Sequence, residues 1–114
     1  MPRGSRRRWR WWRSAPAIGF ALALQSAFAA EPVLDPAKLT NLVRQDCGSC
    51  HGLTLKGGLG KPLTTNRLQQ WDRAQLIQII LDGVPGTPMP GWRPVLTEAE
   101  ASWIADVLKD GSLQ

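Results

Sequence analysis

Cys47-Gly48-Ser49-Cys50-His51 holds both cysteines and the one histidine of this 114-residue chain. Cys-x-x-Cys-His is the attachment pattern of c-type haem. Two thiols three positions apart on a tight turn can each add to one vinyl group of the same porphyrin. The residue that follows then lies beneath the ring, where its imidazole can bind the iron. On this reading Cys47 and Cys50 supply two thioethers and His51 supplies an iron ligand. A redox dithiol or half of a zinc site has the same Cys-x-x-Cys core. A thioredoxin-like dithiol would open a helix inside a βαβ unit, and no strand alternation surrounds this motif. A structural zinc ion needs four ligands, and no further Cys or His exists to provide them.

Outward from the motif, the chain divides into two chemically different parts. The formal charge of +5 suggests a nucleic-acid or membrane binder. Six of the 14 basic residues, however, lie at Arg3, Arg6, Arg7, Arg8, Arg10 and Arg13, and no acidic residue precedes Glu31. From residue 31 onward, eight basic residues face nine acidic ones, a formal charge of −1. The basic head followed by the apolar run Ala15–Leu24 and by Ala27-Phe28-Ala29 has the three-part form of a secretory signal peptide. Ala15–Ala30 is 16 residues long and is interrupted by Pro16, Gln25 and Ser26. A membrane-spanning helix needs ~20 apolar residues. The expected organisation is therefore a signal peptide over 1–29 and one domain over 30–114, exported to the periplasm. No nucleic-acid binding and no stable membrane insertion after cleavage are expected.

Asp35-Pro36 is a helix-start signal, with Asp as N-cap and Pro at the first position. Leu39, Leu42 and Val43 follow at helical spacing, which predicts a helix over 36–46 leading into Cys47. Gly52, Gly57, Gly58 and Gly60 break the pattern after His51. They suit either close approach of backbone to a flat ligand or a plain flexible loop. A short helix around 66–70 can be capped by Thr64, Thr65 or Asn66. Asp72 and Gly83 bracket a helix over 73–81 whose apolar residues Leu76, Ile77, Ile79, Ile80 and Leu81 cover most of its circumference. Thr97 and Glu100 form a capping box that starts a last helix over 98–110. Its stripe of Trp103, Ile104, Val107 and Leu108 is the natural mate for the first helix.

Between the last two long helices lies Gly83-Val84-Pro85-Gly86-Thr87-Pro88-Met89-Pro90-Gly91-Trp92-Arg93-Pro94. Met89, held between two prolines, is the only methionine besides the initiator. It reads as the second axial ligand of the iron, through its thioether sulfur, against the plainer role of a loop anchor filling the core. A bis-histidine iron within one chain is impossible with a single histidine. Trp92 has two readings: core packing, or an indole whose N–H meets a haem propionate. With about 85 residues in the domain, the polypeptide alone is marginal, so the haem-free chain is expected to be weakly folded.

The order helix, Cys-x-x-Cys-His, glycine loop, helix, Met loop, helix resembles the small mono-haem class I cytochromes c over residues 35–111. The resemblance implies an all-α fold of three to five helices wrapped around one covalently bound haem c and its iron. It places Trp103 at the crossing of the first and last helices. It also implies that the carbonyl of Pro62, in Gly60-Lys61-Pro62-Leu63, accepts the Nδ1–H of the ligating His51. Asp46–Gly52, Leu55–Gly60, Ile80–Gly83, Pro85–Pro90 and Trp92-Arg93-Pro94 resemble the NirC-type cytochromes, encoded with dissimilatory nitrite reductase in denitrifying bacteria. That closer resemblance implies a monomeric one-electron carrier, not an enzyme, delivering electrons to the reductase or serving the maturation of its d-type haem. Lys56 and Lys61, close to the motif, are candidates for steering an acidic redox partner or, equally simply, solvated lysines. Two other functions remain on the same residues: a haem enzyme or gas sensor, which requires Met89 to leave the iron, and an assembly factor for the d-type haem.

Overall fold

The computed structural model describes residue 30 and residues 33–114. The expected signal peptide over 1–29 lies outside the described residues. Every regular element among the described residues is helical, in the order α1 (Pro36–Leu42), a π-helical turn (Val43–Cys47), α2 (Gly48–His51), α3 (Thr65–Leu68), α4 (Arg73–Asp82) and α5 (Glu98–Asp110). None of these helices is long and apolar enough to cross a membrane.

The N-caps act as the side chains dictate. The Asp35 carboxylate accepts from the Lys38 amide at 3.0 Å, with Pro36 opening α1. Thr97 and Glu100 exchange hydrogen bonds in the expected box at the start of α5. A second box, of Asp72 with Gln75, starts α4. Only its Asp half was legible, because Gln75 sits in a run otherwise read for its apolar residues.

The first helix differs from expectation. It does not stop before Cys47 but runs on through the π turn into α2, so the cysteine motif is helical rather than a separate tight turn. The reason lies in the core. The Gly48 amide bonds to the Val43 carbonyl five residues back. Leu39, Val43 and Gly48 are all buried, and Cys47 is left half-buried. A single wide turn of this kind adds one residue to the helix, and such bulges cluster at functional sites.

The core joins Leu39 and Val43 of the first helix to Leu55, Leu68, Leu76, Ile77, Leu81, Leu96, Ala101, Ile104, Ala105 and Leu108. Helix α5 packs chiefly against α4 and less extensively against α3 and α1. The expected α1–α5 pairing is therefore real but secondary to α4–α5. Ala101 and Ala105, fully buried, form the tightest part of the α5 face, and Trp103 packs half-buried against the core. Helix α4 is less enclosed than expected. Leu76, Ile77 and Leu81 are buried, but Ile79 and Ile80 are half-buried and Gln75 and Gln78 are exposed. Arg73 adds an exposed link from α4 to α5, with Nε 2.6 Å from the Asp106 carboxylate and a further bond to Ser102.

Candidate functional site

The loop after His51 is stitched to the helix that precedes it. The last carbonyls of a helix lack intrahelical partners. Here Gly60 N–H donates to the Cys50 carbonyl at 2.7 Å and Gly57 N–H to the His51 carbonyl at 2.8 Å. Leu55 is buried beneath this loop, and the Leu63 amide bonds to its carbonyl at 2.8 Å. The glycines thus serve close approach of chain to chain rather than looseness.

This loop holds the imidazole. His51 Nδ1 lies 2.6 Å from the carbonyl oxygen of Lys61. A carbonyl can only accept, so Nδ1 carries the proton and Nε2 is the nitrogen left for a metal. The oxygen belongs to Lys61, which corrects the expectation that the Pro62 carbonyl plays this part. Pro62 acts one atom removed: it restricts the residue before it to extended backbone, which fixes where the Lys61 carbonyl points. Gly60 forms the seat. A Cβ on Gly60 would lie 2.8 Å from His51 Nδ1 and 2.9 Å from Cε1, so any side chain there would push the ring aside.

Cys47 and Cys50 are both free thiols, the first half-buried and the second exposed. Burial, with a smaller contribution from the Asp46 charge, pushes the Cys47 thiol up to about 11. The Ser49 hydroxyl donates to the Asp46 carbonyl at 2.7 Å and lies 3.9 Å from Cys50 Sγ. Two unpaired thiols and an imidazole with a fixed tautomer on one helical run fit the donor set of a covalent haem. Among the described residues no group of three or more His, Cys, Asp or Glu is placed to hold a metal ion.

Met89 lies in a second closed loop, at the end of α4. Its amide is 3.3 Å from Thr87 Oγ1 and its carbonyl accepts from the Val84 amide at 3.3 Å. The Thr87 hydroxyl donates to the Val84 carbonyl at 2.7 Å. The loop leaves past its own entrance. At Gly83, φ is +72°, and a Cβ there would lie 2.6 Å from the Met89 carbonyl oxygen. The Trp92 and Arg93 amides then donate to the Ile80 and Leu81 carbonyls at 3.1 and 3.2 Å. Met89 is half-buried, and Trp92 is half-buried against the core. Two shallow surface grooves, at Trp71–Ile79 and at Pro62–Gln70, include none of Cys47, Cys50, His51 or Met89. From the sequence, Gly60 reads only as one of the glycines of the loop, and the Lys61 carbonyl has no part. The residue preceding a proline was the available signal for Lys61.

The family described as "Cytochrome C oxidase, cbb3-type, subunit III" matches residues 34–107. The chain is 62% identical over 95 residues to a cytochrome c55X of Paracoccus denitrificans, covering 81% of this chain and 90% of that protein. It is 42% identical to a cytochrome c55X of Pseudomonas aeruginosa, covering 85% and 87%. Among solved structures it is similar to a c-type cytochrome NirC, with 47% identity, a TM-score of 0.66, and 68% and 91% of the two chains covered. It is also similar to a dihydro-heme d1 dehydrogenase NirN, with 36% identity and a TM-score of 0.58 over 60% of this chain but 15% of that one. With its attachment motif, helical fold and near full-length relatives, the chain belongs to the cytochrome c family, electron carriers rather than enzymes, whose cofactor is haem c with its iron.

Proposed function

We propose that the chain is a periplasmic mono-haem cytochrome that carries single electrons to, or in the maturation of, a dissimilatory nitrite reductase in denitrification. The observation that supports it most directly is the His51 imidazole, pinned through Nδ1 at 2.6 Å from the Lys61 carbonyl on the same helical run as two free thiols. Cys47 and Cys50 would hold the porphyrin as thioethers, with His51 Nε2 and the Met89 sulfur as axial ligands. Bound so, haem supplies a one-electron Fe(II)/Fe(III) couple at a potential raised by the Met ligand.

The chain's own residues do the rest. The Lys61 carbonyl stops the imidazole from turning and makes Nε2 a better donor. The proline-flanked loop presents Met89 with little freedom of its own. With His51 and Met89 both bound, the iron would have no position open to substrate. The nitrite reductase connection rests on the similarity to NirC and to the dihydro-heme d1 dehydrogenase NirN. A dehydrogenase must pass on the electrons it removes, and a small carrier related to one segment of it suits that task. Export of the domain rests on the signal-like residues 1–29.

Ferric holo-protein should show the weak long-wavelength band of methionine-ligated haem, and the ferrous protein should bind carbon monoxide slowly. A missing band with rapid carbon monoxide binding would replace the carrier by a sensor or enzyme. Deleting the gene separates the two carrier roles. Complete but electron-starved nitrite reductase identifies a donor; reductase lacking its d-type haem identifies a maturation role. N-terminal sequencing of periplasmic protein should start after Ala29 or one residue later.

A further inference from the structure

Asp82 is the last residue of α4, where a helix carries the negative end of its dipole. An acidic residue there opposes the helix, and no basic residue occupies that turn. The compensating cation comes from outside, from Arg93 at the exit of the Met89 loop. Arg93 Nε lies 2.5 Å from Asp82 Oδ1, and a second guanidinium nitrogen lies 3.2 Å from Oδ2. This two-pronged geometry is the arrangement in which an exposed pair holds its shape. It holds the carboxyl below its usual range. The pair spans the two ends of the loop, the residue before Gly83 and the residue after Trp92. It lies beside the backbone bonds from Trp92 and Arg93 to Ile80 and Leu81. Everything between these ends is the segment that carries Met89.

We propose that the Asp82–Arg93 pair is a clamp that positions Met89, setting how often the thioether leaves the iron. It rests on the assignment of Met89 as axial ligand. A thioether is a weak ligand with no hydrogen bond to orient it, so its occupancy depends on the loop that presents it. Opening the clamp lets the loop ends part without touching the motif at Cys47–His51.

The test is imidazole binding to the ferric holo-protein. External imidazole binds only when the methionine is released, so its apparent affinity reads the released fraction. Asp82→Asn and Arg93→Gln should each tighten imidazole binding about fivefold, the scale expected for a well-formed exposed pair. The double variant should match either single one, because both break one interaction. In about 1 M salt the difference from the unaltered protein should shrink. Arg73→Gln, which breaks the comparable α4–α5 pair with Asp106, should lower the melting temperature yet leave imidazole affinity unchanged. Unchanged affinity in the Asp82 and Arg93 variants overturns the clamp, as does an equal change in Arg73→Gln. If the unaltered ferric protein lacks the methionine band, the ligand assignment fails and the clamp fails with it.

Discussion

The two loops that present His51 and Met89 solve the same problem by different means. The His51 side is fixed at the side chain: a carbonyl 2.6 Å from Nδ1 and a glycine pressed against the ring leave the imidazole one orientation. The Met89 side is fixed through its loop and not at the ligand's side chain: by the Thr87 and Val84 bonds, the stitching to α4 and the Asp82–Arg93 pair. The first loop closes on the helix that carries its ligand. The second closes on a neighbouring helix, with Met89 held there by its backbone carbonyl. Damage to the first should therefore break attachment, and damage to the second should tune it.

The largest effect separates the two sides outright. His51→Ala should abolish stable haem incorporation, measured as covalent haem per polypeptide. Met89→Ala should keep the haem and open the iron to rapid carbon monoxide binding. Haem lost equally in both would erase the distinction.

Glycine substitutions sharpen it. Gly60→Ala should lower holo-protein stability by about 1–3 kcal/mol in thermal melts, as expected for an overpacked site, and disturb the haem spectrum. Gly86, in the other loop, has φ of +77° with nothing within 4 Å of an added Cβ. Gly86→Ala should cost only its backbone strain, of order 1 kcal/mol, with the spectrum unchanged.

Within the attachment side, the two thiols should differ. In haem-free protein at pH 8, iodoacetamide should modify exposed Cys50 first and half-buried Cys47 at least about tenfold more slowly, since the thiolate is the nucleophile. Mass spectrometry reads both rates. Equal rates would erase the difference between the two thiols.

The smallest effect lies outside both loops. The Glu100 carboxyl is held below its usual range by the Thr97 amide first and the Thr97 hydroxyl second. A carboxyl lowered in the folded state stabilises above its unfolded pKa of about 4.3, and the gain is lost as pH falls through and below that value. The melting temperature should therefore hold level from pH 8 to 5 and drop below about 4.3. Glu100→Gln, which keeps the box, should make that drop shallower.

What was legible in the chain follows the same division. Asp35-Pro36, Asp72 and Thr97 announced their helices because caps act within four residues. His51 and Met89 stood out as candidate ligands because each is, the initiator aside, the one residue of its type. The π turn was not legible, because it rests on a buried Gly48 packed against the following loop: a Cβ there would meet the Leu53 Cα at 3.4 Å. The Lys61 acceptor was displaced by one residue, because a proline marks a rigid spot without saying which flanking carbonyl faces inward. Ala101 and Ala105, both fully buried on α5, were not read as core because a search for large apolar residues passes over them.

The amides of Trp92 and Arg93 occupy the carbonyls at the end of α4. The last turn of that helix therefore cannot fray without freeing the loop, and the loop cannot swing without fraying the turn. Their hydrogen–deuterium exchange should proceed at one shared rate set by this local opening. Those two protons would serve as a clock for loop motion that runs in either oxidation state and needs no partner protein.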